Sequence, residues 1–200
     1  MGVRLIPYGM QALMAEYPTL AAVISAAAAV RAADLAGVDE VIPGARTVLV
    51  QFSGDEPPGL RNMLTASHKA MYADGRLVEV AARYDGPDLT EVAQRTALTV
   101  DEVIALHSGT EFVAAFCGFA PGFAYLSGLP AALHLPRRPS PRTLVPAGSL
   151  AMASEFTGVY PTASPGGWHL LGTVTVSMFD LAREPGALIA PGDRVRFVPT

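Results

Sequence analysis

Between Gly118 and Trp168 the chain runs through 51 residues that hold 8 of its 17 prolines and 7 of its 19 glycines. Proline removes a backbone donor and glycine loosens the chain, so such a stretch favours tight turns over long helices. A linker of this content would be polar and disordered, because it could not bury enough apolar surface to offset chain entropy. Here Phe119, Phe123, Leu133 and Leu135 thread between the turns. The stretch is therefore expected to be ordered, with proline and glycine setting the turns and the aromatics anchoring them.

Charge singles out the same window. It carries Arg137, Arg138 and Arg142 against Glu155 alone, a net of +2, whereas the whole chain stands at −4 and the remainder therefore at −6. Two readings are open: a solvated rim beside the prolines, or an anion site, since the planar guanidinium fork suits carboxylate and phosphate.

Two hundred residues, 50% of them hydrophobic and 16% charged, make one large or two small globular domains. The single cysteine, Cys117, excludes an internal disulfide framework and a cysteine-rich metal site, reads as a buried apolar residue, and fits a reducing, cytoplasmic setting. The alanine-rich run Leu20–Val30 is too short to span a membrane, and Glu16 and Pro18 before it are unlike a secretory leader. With Lys69 the only lysine in an acidic chain, no basic footprint for nucleic acid is present.

Periodicity divides the chain near residue 75. Residues 1–75 read strand, strand, helix, strand, strand, helix: Arg4–Tyr8, Ala12–Tyr17, a helix capped by Thr19, Val38–Ile42, an apolar and hence central Thr47–Phe52, and a helix over Pro57–Tyr72. Residues 76–200 open with a strand at Arg76–Tyr84 and a short helix Leu89–Arg95 that Asp88 can cap. A second helix opens on the Thr99/Glu102 capping-box pattern and ends near His107. Glu111–Cys117, Thr143–Val145, Ser149–Ala153, Trp168–Val176 and Arg194–Val198 are short apolar runs between Gly/Pro turns, the pattern of a barrel or sandwich. The fold class is α+β: a small N-terminal α+β domain, then a mostly β domain.

Standard catalytic signatures are missing. There is no phosphate-binding P-loop, no H-E-x-x-H, and the four histidines His68, His107, His134 and His169 have no metal-ligand spacing. Ser149 lies in Ala-Gly-Ser-Leu-Ala, which is not a nucleophile elbow. What remains is a polar set in rigid turns: His107, Tyr125, Arg137, Arg142, Ser149, Tyr160, Ser164 and the main-chain amides of Gly166 and Gly167. Paired glycines let backbone N–H groups approach an oxyanion closely, and they also simply make a turn. Arg142, between Pro141 and a strand, is the leading candidate to orient a small carboxylate. His107 could transfer a proton near neutrality or merely cap its helix. Tyr125 and Trp168 read as core aromatics whose polar tips can reach the site.

These motifs resemble a known family. Gly118-Phe119-Ala120-Pro121-Gly122-Phe123-Ala124-Tyr125-Leu126, Pro136-Arg137, Pro141-Arg142, Val145-Pro146-Ala147-Gly148-Ser149, Thr157-Gly158-Val159-Tyr160-Pro161 and Ser164-Pro165-Gly166-Gly167-Trp168 are similar in order and spacing to the B component of the multi-subunit prokaryotic 5-oxoprolinase. That family is also described as KipI-like or allophanate hydrolase subunit 1. Tyr84-Asp85-Gly86-Pro87-Asp88, His107 and Pro191-Gly192-Asp193-Arg194-Val195-Arg196-Phe197 extend the match over essentially the whole chain. Met10, Glu155-Phe156 and Val174-Thr175 depart from the pattern.

The resemblance implies a cyclophilin-like β-barrel for residues 76–200 and likeness to the carboxyltransferase region of urea carboxylase. It implies a non-autonomous subunit of an ATP-dependent lactam hydrolase that turns 5-oxoproline, ATP and water into glutamate. The implied partners are a KipA-like C component (allophanate hydrolase subunit 2) and an A component, with ATP, and Mg with it, held at a site shared with the partner. In this reading Arg137 or Arg142 takes the substrate anion, with Tyr125 and Ser164 beside it. Gly166, Gly167 and Ser149 or Tyr160 face the carbonyl, and His107 moves the proton; no resident metal site is expected. The alternative implied by the resemblance is a KipI-type regulator that docks on a sensor histidine kinase.

Overall fold

The structure, a computed structural model, describes residues 2–68 and 75–200. The chain divides into two compact units, Met1–Ala73 and Asp74–Thr200.

The first unit is a four-stranded antiparallel sheet backed by two helices. β1 (Arg4–Pro7), β2 (Ala12–Glu16), β3 (Val38–Pro43) and β4 (Thr47–Phe52) are ordered β1-β2-β4-β3, so the apolar strand β4 is interior as its composition predicts. α1 (Leu20–Ala32) starts at Thr19, whose Oγ1 accepts from Ala22 N–H at 3.2 Å, and buries Val23, Ala26, Ala27 and Val30. α2 is shorter than predicted, spanning only Leu60–Thr65. Ala66 is already extended, and its N–H closes the helix on the Asn62 carbonyl. The remainder of the expected helix, from residue 69 on, lies outside the described residues.

The second unit is a closed seven-stranded barrel. β5 (Leu77–Arg83) leads to α3 (Leu89–Thr96) and α4 (Val100–Ser108), then β6 (Phe112–Cys117), β7 (Ala124–Ser127), a short 3₁₀ turn at Ala131–Leu133 and β8 (Arg142–Val145). β9 (Ser149–Ala153), β10 (Phe156–Val159), β11 (Ser164–Gly166), β12 (His169–Val174) and β13 (Arg194–Pro199) follow. The barrel order is β10-β7-β6-β13-β5-β12-β9, with β10 pairing β9 to close the ring. β8 and β11 form a separate two-stranded ribbon. The α+β class read from the sequence is the observed one. Three strands were not predicted, β7, β10 and β11; they are short, three or four residues each, and are held by pairing with neighbouring strands.

Helix α4 has the predicted capping box: Glu102 N–H donates to Thr99 Oγ1, and the Glu102 carboxylate accepts from Thr99 N–H. Asp88 does not cap α3. Its carboxylate is engaged elsewhere, with consequences for the site. Closure also demands glycine at Gly86, where a Cβ would sit 2.3 Å from the Leu170 carbonyl oxygen, pressing the Tyr84–Asp88 segment onto β12.

Candidate functional site

A cavity of about 230 Å³ opens in the second unit, lined by the ends of the very loops that carry the proline and glycine. Its walls are aromatic: Phe123, Tyr125, Tyr160 and Trp168 meet edge to face, with ring centroids 5.0 to 5.6 Å apart. Tyr125 is also stacked on Phe116 at 4.4 Å. Such contacts hold ring positions that apolar burial alone would leave adjustable.

Three polar features face this cavity. Arg137 lines it, and of the thirteen arginines in the sequence it is the one with neither an ion pair nor a hydrogen bond among the described residues. Its neighbours are pinned on both sides. His169 Nε2–H donates to the Pro136 carbonyl at 3.0 Å, and Arg138 N–H donates to the Gly167 carbonyl at 2.8 Å. Gly166 and Gly167 also line it, and a Cβ on Gly166 would sit 2.3 Å from the Tyr160 hydroxyl, so only glycine lets the phenol reach the main chain there. Burial raises the Tyr160 pKa, against the lowering influence of the Trp168 backbone and Arg137, so the phenol keeps its proton and remains a donor.

Beside the cavity lies a charge clamp that sequence reasoning did not foresee. Asp88 is 3% exposed, and its Oδ1 accepts from Arg142 Nη2 at 2.6 Å and from Arg138 Nη1 at 2.9 Å, while Oδ2 accepts from Leu170 N–H at 2.8 Å. Arg138 also pairs with Glu91 at 2.9 Å. Burial pushes the Asp88 carboxyl up, but the Arg142 hydrogen bond, the Leu170 N–H and the two guanidinium charges together outweigh it and hold it below the usual range. Two arginines are thus neutralised and one, Arg137, is left open.

The structure brings together Tyr125, Arg137, Tyr160, Gly166 and Gly167. It places the other expected site residues elsewhere. Arg142, the leading sequence candidate, does not line the cavity, because its guanidinium is committed to Asp88. Ser149 is buried and donates to the Pro146 carbonyl at 2.8 Å, closing a turn. Ser164 Oγ is buried with no partner among the described residues and does not line the cavity. His107 is the largest departure: it is 0% exposed, packed against Phe112 and Phe197, and burial drives its pKa down to about 3. Thr157 Oγ1 donates to the Ala151 carbonyl and so accepts from His107 Nε2–H at 2.8 Å; Nδ1 then accepts from the Tyr84 hydroxyl at 2.8 Å. The imidazole is thus held neutral and in one tautomer inside the barrel, away from the cavity lining. The helix-end position suggested a cap or a proton carrier, but its side chain turns inward. The signal that could have found the clamp was the Tyr84–Asp88 motif, of whose two acids Asp88 is the buried one.

Residues 3–189 match the family model described as carboxyltransferase domain, subdomain C and D. The chain belongs to that family. Among its carboxyltransferase-family relatives, the B component of the 5-oxoprolinase of Escherichia coli O157:H7 is 43% identical over 177 residues, covering 84% of this chain and 81% of the relative. The corresponding 5-oxoprolinase B component of Haemophilus influenzae is 39% identical over 157 residues, 76% of this chain and 74% of its own. Among solved structures, TTHA0988 superposes with a TM-score of 0.79 at 35% identity over 95% of this chain, which spans only 40% of that longer chain. The urea amidolyase of K. lactis, at 15% identity and TM-score 0.67, shares the fold over 99% of this chain and 15% of its own. The resemblance read from the motifs is therefore the family to which the chain belongs.

At about 230 Å³ the cavity is small, and one guanidinium without a partner among the described residues, Arg137, lines it. Among the described residues no group of three or more His, Cys, Asp or Glu is arranged to hold a metal ion, and no helix is long and apolar enough to cross a membrane.

Proposed function

We propose that this chain is the substrate-holding subunit of an assembly that opens 5-oxoproline to glutamate, and that its partners supply the remaining machinery. The observation that carries the reading is the Arg137 guanidinium, without a partner among the described residues, lining a small aromatic cavity together with the Gly166–Gly167 backbone. The relatives, each one named subunit of a 5-oxoprolinase, point the same way and imply other subunits.

A lactam acid of nine heavy atoms matches this arrangement piece by piece. Its carboxylate is an anion for Arg137, in the charge-assisted geometry that guanidinium favours. Its amide is unreactive until negative charge on the carbonyl oxygen is stabilised, and preorganised donors do this better than mobile ones. The Gly167 N–H, which has no acceptor among the described residues, and the protonated Tyr160 hydroxyl are the donors at hand. The aromatic walls exclude water from the ring and strengthen both interactions. ATP, implied by the resemblance, is assigned in this reading to the C and A components of the assembly.

The test is a coupled assay for glutamate from 5-oxoproline and ATP, with the chain co-expressed beside its partner subunits. Turnover that disappears with Arg137→Ala supports the reading. A stable complex with no turnover but with inhibition of a sensor histidine kinase would overturn it in favour of the regulatory alternative.

A further inference from the structure

Among the described residues, four other than glycine adopt a positive φ: Asp34 (45°), Ala97 (55°), Ser154 (53°) and Phe119 (72°). Three are small or polar side chains of the kind that tolerate the left-handed region at helix ends and turns, and Ala97 is the C-cap of α3. Phe119 is the bulky one. Its backbone is held by a loop closed on itself: Ala120 N–H donates to the Gly118 carbonyl at 2.9 Å, Phe123 N–H to the Ala120 carbonyl at 2.9 Å, and Gly118 N–H to the Phe123 carbonyl at 3.2 Å. Strain of this kind is ordinarily offset by burial, yet the Phe119 residue is 61% exposed. Its ring lines the cavity and touches Phe123 and Tyr160 only edge-on, at 5.3 Å and 70° and at 6.0 Å and 88°. A strained backbone and a largely exposed aromatic face thus coincide in a residue that lines the cavity.

We infer that Phe119 is a specificity-determining residue that covers the ring of a small cyclic monocarboxylic acid and discriminates it from the open-chain dicarboxylic acid. The inference rests on the proposed function and deepens it. Once a single carboxylate is paired with Arg137, no second unpaired cation lines the cavity among the described residues. The rest of a cyclic substrate is an uncharged lactam with a saturated methylene edge, which packs on an aromatic face. The ring-opened product carries a second carboxylate that would have to lie against Phe119, Phe123 and Trp168 without a counter-charge, a desolvated position that an anion avoids. Phe119 thereby favours entry of the lactam and departure of the amino acid.

Trp168, the chain's one tryptophan, lines the cavity and reports on its occupancy. Its fluorescence is titrated with 5-oxoproline and with glutamate in the full chain, in Phe119→Ala, Phe119→Gly, Phe119→Tyr and Arg137→Ala. The wild type should bind 5-oxoproline more tightly than glutamate. Loss of the ring contact in Phe119→Ala should weaken 5-oxoproline about five- to tenfold with little change for glutamate, and Phe119→Tyr should restore the preference. Phe119→Gly should bind as weakly as Phe119→Ala yet melt at a higher temperature than it, since glycine takes a φ of 72° without strain. Phe119→Ala within twofold of wild type, while Arg137→Ala loses binding, would overturn the role of Phe119 and leave the proposed function standing. No response of the wild type to 5-oxoproline would overturn the proposed function itself and this inference with it.

Discussion

Replacing Asp88 with alanine removes a carboxylate that serves three donors at once, Arg138, Arg142 and the Leu170 N–H. Deleting one partner of a buried ion pair costs about 3–5 kcal/mol, and an orphaned buried N–H adds about 1–3. The two arginine side chains are 25% and 26% exposed and can turn partly to water, which trims the first figure, so we expect a total of about 3–5 kcal/mol. Asp88→Asn keeps one acceptor oxygen, which serves either the Leu170 N–H or the arginines but not both, and turns an NH2 donor toward the other, so it should cost about 2–4 kcal/mol. Urea denaturation of the full chain measures both, with the slope m unchanged if only stability has moved. The sign of the pH dependence follows from the depressed pKa of Asp88. Its contribution is complete above the unfolded-state value of about 4 and is lost as pH falls through the lower folded value. A loss below about 1 kcal/mol for Asp88→Ala would refute the clamp, because two guanidiniums would then be content without their shared carboxylate.

The same structure sets other expectations. Arg137→Ala removes an exposed guanidinium with no partner among the described residues, so stability should stay within about 0.5 kcal/mol while 5-oxoproline binding falls about 10- to 100-fold, measured by melting and by Trp168 fluorescence. Gly166→Ala puts a Cβ 2.3 Å from the Tyr160 hydroxyl, so the phenol must move; binding should fall at least about tenfold and stability by about 1–3 kcal/mol in the same two measurements. His107 has a folded pKa near 3, below its unfolded value, so its stabilising effect is whole above pH of about 6.5 and is lost as pH falls toward 3. Denaturation between pH 6 and 5 should show a loss of about 1.4 kcal/mol per pH unit that is absent in His107→Gln. Equal slopes in the two proteins would contradict a buried neutral imidazole.

Much of the scaffold was legible in the residues. Thr19 and the Thr99/Glu102 box start helices where the pattern says they should, since a cap is made within three residues of the group it satisfies. The interior place of β4 was legible from its apolar run. Part of the lining of the candidate cavity was legible too: Arg137, Tyr125, Tyr160 and the paired glycines, singled out in the sequence, line one cavity. Arg142 and His107 stand apart from the cavity lining for one reason. Their type and position suit an anion or a proton, but what they do is decided by Asp88, 54 residues before Arg142, and by Thr157, 50 residues beyond His107.

By itself, then, the sequence determined the local vocabulary: where turns must fall, which helices are capped, which runs are extended, and which polar groups are concentrated near the glycines. Only the tertiary structure decided which of three neighbouring arginines is free to bind. Local propensities act over a few residues, whereas the pairing of a guanidinium depends on which carboxylate barrel closure carries to its side. That closure brings Asp88 against Arg138 and Arg142 and leaves Arg137 open.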